Sequence, residues 1–237
     1  MKVAITFIGT NRYLDFLPRY HEHINKHFLP NTEKIFLVFT DGEGDYPDDV
    51  KVYDQEHLEW PYITLKRFEI IKKARKDIED CDWLVFLDAD TLVVDNIMEE
   101  EFFSDKPYFG VHHPCHALGM PPHTEYPGAF ETDTNSRAGV TAEDDTSMYY
   151  QGCLWGGRVP EVLDMIDELD SRVEEDLSND VIAVWHDESQ LNKFYSEVKE
   201  DVHLLGPEYE YPEVFKDYCN FEPKIVHLAK DNSAYQI

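Results

Sequence analysis

Positive charge is scarce in this chain of 237 residues, in which 21 Lys and Arg stand against 49 Asp and Glu for a formal net charge of −28. A surface of that sign repels nucleic acid backbones and anionic lipid head groups. The charge therefore argues against a nucleic-acid-binding function. It is typical of a solvated surface that aids solubility, and adaptation to a salty medium would leave the same trace.

Long apolar runs are also missing. No window approaches the roughly 18 apolar residues of a membrane-spanning helix, and the apolar run at the N-terminus is too short for a signal peptide. The four cysteines, Cys81, Cys115, Cys153 and Cys219, are scattered and form no CxxC pair. We therefore expect a soluble, cytoplasmic protein without a membrane span, with reduced thiols and no disulfide framework.

Three common catalytic signatures are absent: GxxxxGK[ST], GxGxxG after the first strand, and GxSxG. No internal repeat, low-complexity tract or linker divides the chain. Its apolar content of 42% is enough for a substantial core, and its length suits one generous domain or two small ones. Since no linker is found, we predict a single domain spanning residues 1–237.

The first 90 residues alternate between apolar runs and helical patterns, with strands predicted at 3–9, 34–39 and 83–87 and helices near 13–28 and 63–79. Near-continuous apolar strands are typical of parallel sheets covered by helices on both faces. Later segments predict a strand at 147–155, a helix at 160–177, a helix after Trp185, and short strands at 202–205 and 224–228. The fold class is therefore α/β, and its ligands should lie beyond the carboxyl ends of the strands.

Two acids follow the third predicted strand in "FLDAD", where Asp88 and Asp90 place two carboxylates close together. Such crowding is costly unless a cation lies between them, and oxygen ligands of this kind suit Mn²⁺ or Mg²⁺. A nucleotide diphosphate is the natural partner of that ion, which indicates a group-transfer enzyme. The alternative is a solvated turn.

Residues 112–147 show no periodicity, and a loop of that length is more often functional than idle. It contains a candidate zinc site with the potential ligands His112, His113, Cys115, His116 and His123, but no second ligand pair follows at the spacing of a zinc finger. Polar loop residues or sugar-binding histidines fit the segment better.

Two further segments carry polar or small residues at unusual density. "YYQGCLWGG" (149–157) would let backbone approach a ligand closely, or would form a bulged strand. In "WHDESQLNK" (185–193), Asp187 and Gln190 fit a helix capping box, with Leu191 beginning the buried stripe of that helix. Capping leaves His186 and Glu188 unexplained, so they are candidates for chemistry.

Taken in order, "VFTD" (38–41), "FLDAD" (86–90), "YYQGCLWGG", "WHDESQLNK" and "GPEY" (206–209) resemble the retaining glycosyltransferase family that contains the ABO blood group transferases and the α1,3-galactosyltransferases. The resemblance implies a GT-A fold with a mixed, mostly parallel sheet. It divides the domain into a nucleotide-binding half, 1–95, and an acceptor-binding and catalytic half, 96–237. The implied reaction moves galactose or N-acetylgalactosamine from a UDP-sugar to the 3-hydroxyl of a galactoside, with Mn²⁺ as cofactor and Mg²⁺ as the alternative.

By position, the resemblance assigns roles to individual residues. Metal binding falls to Asp88 and Asp90. Donor contacts fall to Phe7, Ile8, Tyr13, Arg67, Asp88, Asp90, Gln151, Gly152, Cys153, Asp187 and Lys230. Acceptor contacts fall to His113, Trp185 and Glu188, and the catalytic centre to His186, Asp187 and Glu188.

The chain also departs from the family pattern. Gln236 stands where an arginine is expected to help bind the diphosphate, and Tyr211 and Pro212 replace a Trp and an Asp that contact the acceptor in vertebrate members. Donor sugar and acceptor therefore stay open. The alternatives are a UDP-glucose or UDP-N-acetylglucosamine transferase, a sugar nucleotidyltransferase, and a non-catalytic glycan-binding domain.

Overall fold

A central seven-stranded sheet organises the fold in a computed structural model that describes residues 1–119 and 128–231. Its strands run in the order β3-β2-β1-β4-β7-β6-β8. Antiparallel pairing occurs only where β7 meets β4 and β6, while the other neighbours in this sheet are parallel. The predicted α/β class, with a mixed and mostly parallel sheet flanked by helices, is confirmed.

The strands are β1 (Lys2–Ile8), β2 (Glu33–Thr40), β3 (Val50–Asp54), β4 (Trp83–Leu87), β5 (Thr91–Val93), β6 (Tyr108–His112), β7 (Tyr150–Arg158), β8 (Val202–Leu205), β9 (Tyr211–Pro212) and β10 (Ile225–His227). The α-helices are α1 (Leu17–His27), α2 (Tyr62–Leu65), α3 (Arg67–Lys72), α4 (Arg75–Glu79), α5 (Glu99–Phe102), α6 (Pro114–Leu118), α7 (Glu161–Ser178) and α8 (His186–Glu197). Short 3₁₀ turns span Asn11–Phe16, Lys199–Asp201, Pro207–Glu210 and Glu213–Tyr218. No helix among the described residues is both long and apolar enough to cross a bilayer.

The helix predicted near 63–79 is wrong as a single element, because the chain forms three short helices there. At Lys66 and Ala74 the backbone takes ψ of 15° and 10°, which breaks the helical ladder. The break at Lys66 puts Arg67 at the start of α3 with its side chain buried. That orientation matters for the site.

The core lies on both faces of the sheet. Along β1, the side chains of Val3, Ile5 and Phe7 pack in one hydrophobic cluster and Ala4 packs in the other, as the alternation of a strand requires. The stripe formed by Phe68, Ile71 and Ile78 is buried in the second cluster, against α7 and β7.

A second, three-stranded sheet with the order β5-β10-β9 brings the end of the chain back to the central sheet. In it, β10 pairs antiparallel to β5, with His227 opposite Thr91. The backbone N–H of Leu228 then donates to the carbonyl oxygen of Asp90 at 2.9 Å. The C-terminal segment is therefore fixed beside the "FLDAD" acids.

Replacing Gly156 by Ala tests the packing of β7 in the middle of the sheet. A β-carbon there would lie 2.1 Å from the carbonyl oxygen of Leu84 and 2.4 Å from the ring of Phe109. Since neither backbone nor a packed ring can move freely, we expect a loss of about 1–3 kcal/mol in the free energy of unfolding, measured by urea denaturation. In the control Gly44→Ala the new β-carbon meets nothing closer than 3.9 Å, so a loss equal to that of the Gly156 variant would contradict the packing argument.

Candidate active site

A cleft of about 470 Å³ opens where the first and fourth strands end. Its walls include Ile8 at the end of β1, Asp88 and Asp90 after β4, and Lys230 after β10. The cleft lies at the carboxyl edge of the parallel strands, where α/β sheets bind ligands. Tyr13 and Arg67 also line it, together with Thr10, His57, Leu58, Trp60, Ile63, Thr64, Phe86, Ala89 and His227.

Arg67 is the cation on which the acids of this region converge. Its side chain is 7% exposed. Nη2 donates to Asp88 Oδ1 at 3.0 Å, while Nη1 contacts Asp187 Oδ2 at 2.7 Å and donates to the carbonyl oxygen of Gly152 at 2.7 Å. One guanidinium therefore joins the end of β4, the middle of β7 and the start of α8.

A bulge in β7 makes the Gly152 contact available. The register with β6 jumps between Gly110, opposite Trp155, and Val111, opposite Gln151. The intervening residues of β7 therefore stand outside the ladder with β6. Freed from that ladder, Gly152 gives its carbonyl oxygen to Arg67 and its N–H to Glu188 Oε2 at 2.8 Å. The predicted bulge is therefore present, and the close approach of this backbone to a ligand stays a prediction.

Both oxygens of Glu188 are held in place. Oε2 accepts from Gly152, and Oε1 accepts from the Tyr149 hydroxyl at 2.6 Å. A β-carbon at position 152 would lie 3.0 Å from the β-carbon of Glu188, so only glycine lets the carboxylate come this close. Burial raises the pKa of Glu188 to about 7, although Tyr149 and Gly152 oppose that rise.

Tyr149 is itself enclosed by the segment "HHPCH". His116 stacks on its ring at 4.6 Å between centroids, and His113 meets it edge-on at 5.6 Å. His113 also begins α6 as its N-cap, since its Nδ1 accepts from Cys115 N–H at 3.2 Å. These two histidines therefore pack on Tyr149, whose hydroxyl donates to Glu188. His123, part of the alternative zinc site, lies outside the described residues.

The capping box predicted for α8 is wrong. The N-cap residue is Trp185, and no side-chain hydrogen bond caps the helix. Asp187 instead pairs with Arg67, and Gln190 Nε2 donates to Asp176 Oδ2 at 2.8 Å. The buried guanidinium is the charged partner of Asp187. Burial raises the pKa of that carboxyl, and the guanidinium opposes the rise together with the backbone N–H groups of Asp187 and Glu188.

His186 starts α8 with a φ of +52°, a left-handed conformation that costs free energy in a non-glycine residue. Its ring meets that of Trp60 edge-on, with centroids 5.0 Å apart. Trp60 is 61% exposed at the wall of the cleft. Burial, with a further contribution from Arg67, lowers the pKa of His186, so the ring is neutral at pH 7.

Asn192 docks α8 onto β7. Its side chain accepts from the N–H of Tyr150 at 2.8 Å and donates to the carbonyl oxygens of Tyr150 at 2.7 Å and Glu188 at 2.9 Å. These bonds fix the height of the helix against the bulge, and hence the position of Glu188 over Gly152.

Asp90 occupies the other side of the cleft and is 3% exposed. Its Oδ2 accepts from Lys230 Nζ and lies 3.1 Å from His227 Nε2. Burial by itself would raise the pKa of Asp90, but His227 and Lys230 lower it below its usual range. The ammonium of Lys230 also lies 5.3 Å from the centre of the Tyr13 ring.

Some predicted site residues lie elsewhere. Phe7 is fully buried and packs edge-on against Tyr20, so its ring forms no part of the cleft wall. Cys153 is 3% exposed and lies beside Glu210 and His227. Gln151 and Trp185 are half-buried on the β7 and α8 side, and Gln236 lies outside the described residues.

Acid exceeds base in this region. The carboxyl groups of Asp88, Asp90, Asp187, Glu188 and Glu210 face three cationic side chains, Arg67, Lys230 and His227. Burial raises the pKa of Asp187 to about 7 against the opposing effect of Arg67, with Asp88 adding to the rise. The donor set at Asp88 and Asp90 is of carboxylate oxygens, which fits a hard divalent cation.

Residues 1–234 of the chain match the family described as Glycosyltransferase family 6. The chain belongs to glycosyltransferase family 6. The resemblance inferred from the five motifs is thereby confirmed.

Individual relatives in family 6 share about a quarter of their residues with this chain. The rat Histo-blood group ABO system transferase 2 is 27% identical over 237 residues, which cover 96% of this chain and 68% of that protein. The Escherichia coli O-antigen biosynthesis glycosyltransferase WbnI is 27% identical, with 99% of this chain and 97% of that protein covered. The chicken globoside alpha-1,3-N-acetylgalactosaminyltransferase 1 is 26% identical, with 91% and 65% covered. Family membership supports a glycosyl transfer role, with a nucleotide-sugar donor and a glycan acceptor.

Tyr149, Asn192, Glu210 and His227 were missed as site residues by sequence reasoning. Tyr149 and Asn192 stand inside "YYQGCLWGG" and "WHDESQLNK", so extending each motif to the residues that support its acid would have found them. Glu210 directly follows the motif "GPEY" and His227 lies in the strand predicted at 224–228, but neither pattern indicates that the two side chains meet.

Replacing Tyr149 by Phe tests the Glu188 contact. Losing a hydrogen bond to a carboxylate costs about 1.5–3 kcal/mol, so the pKa of Glu188 should rise above its value of about 7 by about 1–2 pH units. The measurement is a ¹³C NMR titration of the labelled carboxyl group, assigned with Glu188→Gln. The control is Tyr195→Phe, which removes a buried hydroxyl that donates to the carbonyl oxygen of Phe109 at 2.7 Å rather than to Glu188. An equal rise in the pKa of Glu188 in that control, or no rise in Tyr149→Phe, would refute the assignment.

Proposed function

We propose that this protein is a retaining glycosyltransferase that moves galactose or N-acetylgalactosamine from a UDP-sugar to the 3-hydroxyl of a galactoside acceptor. The observation that carries the proposal is the position of Glu188. Its carboxylate is held at both oxygens, by Tyr149 and Gly152, next to the arginine that lines the cleft. The names of the relatives, which include an alpha-1,3-N-acetylgalactosaminyltransferase and an O-antigen glycosyltransferase, support the substrate class.

Asp88 and Asp90 are the proposed ligands of Mn²⁺, with Mg²⁺ as the alternative. The excess of carboxylates over cations around them favours a divalent ion. When bound, such an ion would stabilise the negative charge that develops on the departing diphosphate. We propose that Lys230 also stabilises the charge on the diphosphate, because its ammonium lines the cleft and lies over the ring of Tyr13.

Arg67 has a different part from the one first expected. Its side chain is nearly buried and already contacts two carboxylates and a carbonyl oxygen. We assign it to orienting Asp88 and Asp187, and assign the neutralisation of the diphosphate to Lys230. Asp187, fixed in this way, is the proposed acceptor of hydrogen bonds from the donor sugar.

Retention follows if Glu188 works on one face of the donor sugar. In the two-step route its carboxylate attacks the anomeric carbon, the bond to the diphosphate oxygen breaks, and UDP leaves. The acceptor hydroxyl then forms its bond to the same carbon and displaces Glu188, its proton passing to the departed diphosphate or to water. In the one-step route the same carboxylate stabilises an oxocarbenium ion while the acceptor enters on the face that UDP leaves. Trp185 and His113 are the proposed acceptor contacts.

A thermal-shift series tests the donor and the ion together. At a ligand concentration about 100 times its Kd, binding should raise the melting temperature by about 5–10 °C. We expect that shift for UDP with Mn²⁺ and its loss with EDTA or in Asp88→Asn, while Asp164→Asn, an exposed surface change on α7, keeps it. A shift with GDP, CDP or ADP in place of UDP would point to a sugar nucleotidyltransferase or another transferase, and a galactoside that binds without UDP-sugar consumption would point to a glycan-binding domain.

Replacing Glu188 by Gln should remove transfer and leave donor binding. We expect kcat to fall about 10³-fold or more, with the UDP thermal shift unchanged, and the exposed change Glu22→Gln to leave both as in the wild type. Because Glu188 must be ionised to act and its pKa is about 7, kcat/KM of the wild type should rise as pH increases through about 7. Wild-type turnover in Glu188→Gln, or a kcat/KM that falls through that pH range, would remove Glu188 from the mechanism.

A further inference from the structure

A buried chain of charged groups runs from the cleft into the protein: Asp90, His227 and Glu210. His227 Nε2 lies 3.1 Å from Asp90 Oδ2, and His227 Nδ1 lies 2.5 Å from Glu210 Oε1. Glu210 is fully buried. A neutral imidazole donates from one nitrogen only. Since a carboxylate oxygen faces each nitrogen here, both donate and the ring is cationic.

The three residues come from separate segments of the chain. Asp90 follows β4, Glu210 ends the 3₁₀ turn Pro207–Glu210, and His227 ends β10. The cluster thereby ties the C-terminal strand, which leads to Lys230, to one of the two acids of "FLDAD". Lys230 and His227 both contact the same oxygen of Asp90, Oδ2. Both cations thus lie on the Oδ2 side of a carboxylate that lines the cleft.

We propose that His227, held by Glu210, is a positioning residue that fixes the Asp90 carboxylate with Oδ2 engaged and Oδ1 left for a divalent cation. The inference rests on the proposed metal-dependent function. It assigns Glu210 a role at a site that it does not touch. Hydrogen-bonded partners of this kind orient ligating carboxylates, and their loss commonly weakens metal binding by about 10–100-fold.

The same residues invite another reading, in which Cys153, Glu210 and His227 bind an ion themselves. Their ligand-type atoms lie within 4.8 Å of one another, and Glu210 Oε2 has no hydrogen-bond partner among the described residues. However, His227 Nδ1 and Glu210 Oε1 are already joined by a short hydrogen bond. A metal bound to His227 through Nδ1 would have to displace that hydrogen bond.

The test is Mn²⁺ binding to the intact protein, followed by electron paramagnetic resonance of the free ion without nucleotide. Glu210→Gln keeps the size of the side chain and removes its charge. His227→Phe alone would leave Glu210 buried and unpaired, so the second variant is the double substitution His227→Phe with Glu210→Gln. The matched control is His21→Phe with Asp49→Asn, which neutralises a half-buried pair whose atoms are 2.9 Å apart and which joins the middle of α1 to the residue before β3.

We expect Mn²⁺ affinity to fall about 10-fold in Glu210→Gln and about 10–100-fold in the double variant, at a temperature where circular dichroism shows each protein folded. The control should lose stability at most and keep the wild-type affinity. A merely structural cluster would lower the melting temperature and leave the affinity of the folded protein unchanged.

Each other outcome is decisive. Wild-type affinity in a folded Glu210 or double variant overturns the positioning role while leaving the proposed function intact. Absence of Mn²⁺ binding in the wild type refutes the proposed metal, and the positioning role with it. Two ions per chain would give Cys153, Glu210 and His227 a metal of their own, and failure of both variants to fold would assign the cluster to stability; either result overturns the inference.

Discussion

The guanidinium of Arg67 is the contact on which the rest of the site depends. It is buried, it cannot lose its proton, and it bonds to Asp88, Asp187 and the carbonyl oxygen of Gly152. A buried charge of this kind is costly unless it is fully paired, so removing one partner leaves an uncompensated charge rather than a vacant contact. The three segments that supply its partners are therefore held in one arrangement. Glu188, one residue beyond Asp187, takes its place from that arrangement.

The β7 bulge links the Arg67 guanidinium to the position of Glu188. A regular ladder with β6 would have engaged Gly152 in sheet pairing. The jump in register frees it, so that one face of the peptide chain meets Arg67 and the other meets the carboxylate. Asn192 then locks α8 to the neighbouring residue, Tyr150. The Arg67 guanidinium, the β7 bulge and the Asn192 side chain together fix the position of the Glu188 carboxylate. A catalytic group can stay fixed in this way without a rigid loop around it.

How much of this could be read from sequence depended on whether the signal was local. β4 was predicted at its observed limits, 83–87, because an apolar run between charged residues leaves little freedom. The helix near 63–79 was wrong as a single element because the backbone breaks at Lys66 and Ala74. The capping box at Asp187 was wrong because the N-cap is Trp185 and Asp187 pairs with Arg67. Glu210 and His227 gave no signal as a pair, because they are 17 residues apart in sequence and meet when β10 pairs with β9, the strand that directly follows Glu210. Family resemblance named the residues of the proposed chemistry and passed over those that hold them in place.

The net charge of the whole chain and the carboxylates of the cleft both oppose the binding of an anionic donor. A net charge of −28 repels a nucleotide diphosphate at long range, and the carboxylates of the cleft repel it at short range. Lys230 and Arg67 offset this only in part, because both are already paired with acids. An anionic donor therefore needs added positive charge, and the place where added charge is most favourable is beside Asp88 and Asp90, where carboxylate oxygens are densest at the cleft wall. On this argument the proposed divalent cation would offset the acidity of the protein, and the donor should bind more tightly in its presence.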